Sequence, residues 1–452
     1  MRPQTRTPYR IHSKILVAAA AALCASPVFG DENHSPEIAE ASQSAWQKAN
    51  DWSIGNILFP SLHLHGVGGL SSGDVAELAS GGHDPQREAF SAQALEPSLS
   101  FKTPYFEAFA NYIFFQDAHA DWDGELEEAF GKITNIPGGF EIKGGQFLSR
   151  FGAQNNTHLH AWNFVDSETV LSRFLGDEGL MLQGGEISWT IPMGLDPVFT
   201  LIASSGYGET LEHDHSHNAG HDHDEESALF EGEESGFADS VWTARLLGRY
   251  RSSDFHTITA GVSWAGGDNG FQRDTQVAGI DVEYLWRENG LEPGGRAFRW
   301  RNELLWRNVD AYSDGSSLDA DHDDHDDHES EEEHAHHAEE HGHEEEDHAD
   351  DAGAAAGPRS ASREELGLYS HLIYTWNEHL DTGLRIGWVE GIEDFGLAER
   401  LRISPAISYW FDKERRIGLR TQYNYDRVDG SQDEHSLWFQ VNIALGSNTE
   451  VR

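Results

Sequence analysis

From residue 60 onward the chain is written in short segments whose apolar and polar positions alternate. In 296–310 the even positions are mostly large and apolar (Phe298, Trp300, Leu304, Trp306), and the odd ones mostly charged (Arg299, Arg301, Glu303, Arg307). In 365–377, Leu366, Leu368, Leu372, Tyr374 and Trp376 share one face, and Tyr369, His371, Thr375 and Asn377 the other. A period of two is that of a β-strand with one apolar and one wet face. Sixteen segments carry it: 60–68, 89–102, 105–117, 124–135, 139–149, 179–191, 197–208, 240–251, 255–266, 274–287, 296–310, 365–377, 381–390, 398–411, 415–427 and 434–446.

The connections alternate as well. Those after even-numbered segments are short and several carry turn formers, such as Ile136-Pro137-Gly138-Gly139, Glu288-Asn289-Gly290 and Asn377-Glu378-His379. Those after odd-numbered segments are mostly longer, and 150–178, 209–238 and 311–363 are much longer. Backbone polar groups in a lipid core must all be satisfied internally, which a sheet achieves only by closing. The expected fold is therefore all-β: a transmembrane antiparallel β-barrel of about 16 strands, with short periplasmic turns and long extracellular loops. A soluble sandwich or propeller, the rival, would bury its apolar face as a core and would not place Trp and Tyr near strand ends.

The first thirty residues stand apart. Arg2, Arg6, Arg10 and Lys14 precede the short apolar run Ile15–Ala25, and Val28-Phe29-Gly30 offers a cleavage site. This reads as a signal peptide, cut near Gly30, that sends the chain to the bacterial outer membrane. The single cysteine, Cys24, lies inside it, so the mature chain has no disulfide. Residues 31–59 are expected to form a periplasmic N-terminal segment with a short helix over 35–55, which could instead enter the lumen, 60–446 the barrel and 447–452 a C-terminal tail. A formal charge of −47 argues against nucleic acid as a partner and fits attraction for cations. An acidic balance alone is usually just a solvated surface.

Candidate chemistry concentrates in the loops. Loop 311–363 places His322, His325, His328, His334, His336, His337, His341, His343 and His348 in a dense run of carboxylates. Loop 209–238 repeats the composition with His213, His215, His217, His221 and His223. Neutral imidazole and carboxylate together suit zinc first, with copper, nickel and cobalt as competitors. The bland reading is a polyanionic low-complexity surface with incidental histidine. Loop 150–178 is long enough to fold into the lumen and narrow it. It carries His158 and His160, and the first strand carries His63 and His65 at the same two-residue spacing. These four could relay metal from mouth to constriction or equally pin the loop to the wall. Arg245, Arg249, Arg299, Arg301, Arg307, Arg385, Arg402, Arg416 and Arg420 are expected on the lumen face, where arginine rings select anions; pairing with carboxylates would instead stiffen the wall. No G-x-S-x-G, H-E-x-x-H or phosphate loop occurs, no catalytic residue is assigned, and an enzyme is not expected.

The run from Phe147-Leu148 through His158-Leu159-His160 to Arg173-Phe174-Leu175-Gly176 resembles a family of porin-like outer-membrane β-barrels. Its members are labelled phosphate-selective-porin-like, or loosely TonB-dependent receptors, and are associated with metal homeostasis. The resemblance spans the barrel and is diagnostic only over about 144–185. Two departures stand against the wider pattern: the chain ends Thr449-Glu450-Val451-Arg452, without a terminal aromatic residue, and no plug domain is expected before the first strand. The reading is a channel for passive uptake of divalent metal, zinc above all. Its rivals are an anion- or phosphate-selective porin with an arginine-lined lumen, and a surface metal buffer or adhesin without transport. No cofactor is required beyond zinc or a similar ion as bound ion or cargo. Outer-membrane lipid is the expected partner, and a homotrimer and a periplasmic metal-binding protein are compatible with the reading.

Overall fold

The computed structural model describes residues 52–194, 196–208, 235–313 and 358–447. Sixteen strands succeed one another in chain order: β1 Leu58–Ser71, β2 Ser91–Lys102, β3 Phe106–Gln116, β4 Trp122–Ile136, β5 Phe140–Leu148, β6 Met181–Thr190, β7 Val198–Gly208 and β8 Phe237–Ser253 make the first half. The second half is β9 His256–Asn269, β10 Asp274–Arg287, β11 Ala297–Ser313, β12 Arg359–Thr375, β13 Leu380–Val389, β14 Arg400–Trp410, β15 Ile417–Val428 and β16 Glu434–Gly446. Each pairs antiparallel with its sequence neighbours, and β1 pairs with β16 from Ser61↔Gly446 to Ser71↔Ser436, so the sheet closes. The edge that alternating strands would otherwise expose is thereby removed.

The two faces sort as the alternation requires. Trp242, Trp264, Trp300, Leu304, Leu368, Ile407 and Phe439 stand exposed on the outside. Their neighbours Glu303, Arg307, His371, Gln422 and Gln440 are buried within. Aromatic pairs gather where strands meet the short turns, among them Phe140–Trp189, Tyr284–Phe298, Tyr374–Trp376 and Tyr409–Phe411. Tyr112–Phe114 and Tyr423–His435 stand toward the opposite rim. Apolar bands flanked by aromatic girdles are the surface a bilayer solvates.

Several boundaries differ from the pattern. β11 and β12 stay paired out to Ser313↔Arg359, and β8 begins at Phe237, so strand pairing reaches into stretches expected to be loop. These extensions add a few rungs of backbone ladder beyond the expected strand ends, and Ala311 still packs with Phe271, Ile392 and Phe395. Ile54 makes a bridge to Leu58 in place of helix; the rest of the helix expected over 35–55 lies outside the described residues, as do the signal peptide and the histidine-rich parts of loops 209–238 and 311–363.

Two connections fold inward. The first, 72–90, contains the helical turn α1, Val75–Leu78, capped by Asp74. The second, 149–180, contains the helix α2, Thr169–Leu175, which buries Val170, Leu171, Phe174 and Leu175 in one apolar cluster with Phe147, Phe151, Leu305, Tyr369 and Val389. At Gly367 of β12 a Cβ would lie 2.4 Å from Val170 Cγ1, so α2 rests directly on the wall there.

Candidate functional site

Two β-bulges set the geometry of the interior. Between β1 and β2, His65 opposes Ala94 and Gly66 opposes Ala92, leaving Gln93 as the extra residue. Between β3 and β4, Asn111 opposes Glu128 and Tyr112 opposes Leu126, leaving Glu127 extra. A bulge places two consecutive side chains against one partner residue and re-aims the rest of the strand. Gln93 and Ala94 are accordingly both buried, as are Glu127 and Glu128, and the shifted alternation turns Glu96 inward.

Glu96 then becomes the centre of a histidine cluster. His63 and Glu96 are paired across β1 and β2. His160, from the inward loop, brings Nδ1 to 2.6 Å from Glu96 Oε2, and its ring stacks on that of His63 with centroids 4.0 Å apart. His65 Nε2 stands 3.9 Å from Glu96 Oε1, while its Nδ1 lies 2.6 Å from Asn442 Oδ1. His158 continues the stack, 5.7 Å from His160, and lies between the two bulge carboxylates: Nδ1 is 3.3 Å from Glu127 and Nε2 2.9 Å from Glu128. Burial works against a charge on His158, but Glu127 and Glu128 outweigh it and raise its pKa well above the ordinary value. The four histidines singled out in the sequence therefore converge on one strip of wall. A second grouping, which sequence reasoning missed, joins His83 of the 72–90 connection to Glu125 of β4 at 2.9 Å, with Glu178 beside them.

The expected lumen arginines stand on or beside strands β8 to β15, and most of these guanidiniums hold the loop instead of lining open space. Arg420 donates to the carbonyls of Trp162 and Phe164, both at 2.8 Å. Arg385 donates to the carbonyls of Asp166 and Ser167 and pairs with the Asp166 carboxylate, which Arg402 reaches from the other side at 3.0 Å. Burial alone would raise the Asp166 pKa, but Arg385 and Arg402 bring it down to about 2. Asp84 accepts from the Ser167 amide at 2.6 Å, tying the two inward connections together; burial and the nearby Asp166 charge raise its pKa. Arg307 bonds the Arg173 carbonyl and Glu365, Arg245 bonds the Gly152 carbonyl and Asp281, and Arg301 bonds Glu283 and Gln154. Arg299 is more exposed, 3.9 Å from Glu283; Arg416 donates to the Gly446 carbonyl at the short-turn end; Arg249 is exposed near the same rim. The ring of lumen arginines expected from alternation is thus largely a set of clamps. Glu168, 2.9 Å from His371, and Glu303, bonded by Tyr369 and the Ala153 amide, complete the anchoring. Of these, only the inward parity of Glu303, Tyr369 and His371 was visible as pattern.

No family model matches the chain. A curated relative from Aquifex aeolicus (strain VF5), described as an uncharacterized protein, is 30% identical over 155 residues, which is 34% of this chain and 29% of that protein. The chain therefore matches well under two thirds of that relative's length. Among solved structures it is similar to the anion-selective porin from Comamonas acidovorans (7% identity, TM-score 0.47, 86% of this chain and 98% of that one). It is also similar to the outer-membrane channel DcaP of Acinetobacter baumannii (10%, 0.47, 86% and 96%) and to Salmonella typhi OmpF in complex with daunomycin (10%, 0.45, 86% and 97%). The chain is a closed sixteen-stranded antiparallel β-barrel.

Proposed function

We propose that this chain is an outer-membrane channel through which divalent metal ions, zinc foremost, diffuse passively toward the periplasm. The observation that carries the reading is the cluster of carboxylates and imidazoles on the inner wall at β1, β2 and β4. Glu96, Glu127 and Glu128 face the loop histidines His158 and His160 from β2 and β4, with His63 and His65 beside them on β1. The arginines Arg385, Arg402 and Arg420 of β13, β14 and β15 are engaged with loop carbonyls and with Asp166 and Asp426. Arginines so engaged offer little free positive field to an anion, whereas a wall of carboxylate and imidazole attracts and exchanges cations. The acidic, histidine-rich stretches within 209–238 and 311–363 would concentrate cations before entry.

Reversal potentials across planar bilayers under a potassium chloride gradient test this reading. Cation selectivity that shifts when zinc is added is expected; strong anion selectivity indifferent to zinc would instead favour the anion-porin alternative. The apolar packing of α2 inside the barrel favours one further reading, a filled barrel that displays metal-binding loops without transport. Complete absence of conductance from folded protein would support it.

A further inference from the structure

We propose that Glu96, His63 and His160, with His65 as the fourth donor, form a defined coordination site for one borderline transition-metal cation on the inner wall. The proposal rests on the channel reading above and gives it a place of contact. Three observations converge. The ligand atoms of His63, Glu96 and His160 lie within 4.8 Å of one another, and Glu96 is 0% exposed. His65 Nε2 and Glu96 Oε1 are buried, make no hydrogen bond, and face each other across 3.9 Å. Tetrahedral zinc with bonds of about 2.0–2.2 Å separates its donors by roughly 3.4 Å. Closing that edge takes only about half an ångström. The His160–Glu96 contact of 2.6 Å would open by roughly 1 Å, and His65, which lies outside the mutually close set of three, would swing in as the fourth donor. Lastly, His65 Nδ1 already meets the Asn442 oxygen at 2.6 Å, which leaves Nε2 as the nitrogen free to ligate. One carboxylate and three imidazoles are a donor set for zinc, cobalt or copper, and too nitrogen-rich for calcium or magnesium.

The site also joins separate parts of the fold. Two donors come from β1, one from β2 and one from the inward loop, so a bound ion would bolt the loop to the wall where the chain closes the barrel.

The test is cobalt(II) binding to the full, detergent-folded chain, read by visible absorption and by chelator competition, with zinc as displacing ion. One equivalent with intense tetrahedral bands is expected, distinct from weaker loop-bound metal. Glu96→Gln and, separately, His63→Gln should each remove that equivalent and weaken competition at least tenfold, while His256→Gln, whose ring meets Tyr284 elsewhere, should not. Heat-modifiable electrophoretic mobility reports whether each variant is folded. Folded Glu96→Gln and His63→Gln variants that keep the band and the affinity of the parent would overturn the site, as would octahedral spectra throughout. Bilayer selectivity is measured on the same samples: loss of the equivalent with cation selectivity retained keeps both proposals, and anion selectivity with the equivalent intact overturns the channel reading alone.

Discussion

Arg385 shows how single residues hold this interior. It is 2% exposed and presents its fork to two loop carbonyls and to Asp166, a carboxylate that also receives Arg402, Gln422 and Asn424. A buried charge is tolerable only while its partners and hydrogen bonds are in place, and removing one partner typically costs about 3–5 kcal/mol. Arg385→Met is expected to lose about that much stability, read as a lower urea midpoint in detergent micelles. Arg385→Lys should fall between, because an ammonium keeps the charge but cannot reach three acceptors in one plane. Gly152 makes the complementary point. Its φ of +61° is open to glycine at little cost, and a Cβ there would collide with the Glu303 carboxylate, so the loop tip can approach β11 only because a side chain is missing.

At the scale of elements, the inward loop 149–180 and the two bulges act together. The bulge at Glu127 places two carboxylates around His158, so protonated His158 binds more strongly than the neutral ring. A pKa raised on docking means stabilisation that is complete below the unfolded value, about 6.5, and is lost as pH rises through the raised folded value. The groups facing His158 are Glu127, Glu128, Asn111, His160 and the Phe109 ring. Protection factors in 149–180, taken relative to the intrinsic base-catalysed exchange rate, should accordingly fall as the medium is made alkaline beyond that folded value. In His158→Gln that pH dependence of protection should vanish, and protection should be low throughout. A loop whose protection is flat with pH in the parent chain would show that the docking rests on the arginine clamps alone.

For the whole molecule, the barrel and the histidine-rich stretches answer to different physics: one closes by backbone pairing and side-chain alternation, the other is too polar to build a core. Deleting 319–351 should therefore leave folding and conductance in pure potassium chloride nearly unchanged, while lowering growth and zinc accumulation under zinc limitation. Equal growth of deletion and parent strains would remove the metal-gathering role. The sixteen strands were legible because period two survives wherever one face meets an apolar medium and the other a polar one, and Leu401 to Phe411 or Leu437 to Leu445 need no partner to display it. The four histidines His63, His65, His158 and His160 could be marked by their spacing, but Glu96 could not. Counted from Ser91, strict alternation sends it outward, and only the bulge at Gln93, a property of two strands in register, turns it back. The arginines were likewise placed on the inner face by alternation, whereas their partners Asp166, Trp162 and Phe164 lie more than two hundred residues away in a loop without periodicity. Away from the bulges the sequence by itself determined which side chains face outward, because that depends on neighbours one and two positions along. The tertiary structure decided which inward groups meet, because that depends on where the sheet closes and how the loop is pressed against it.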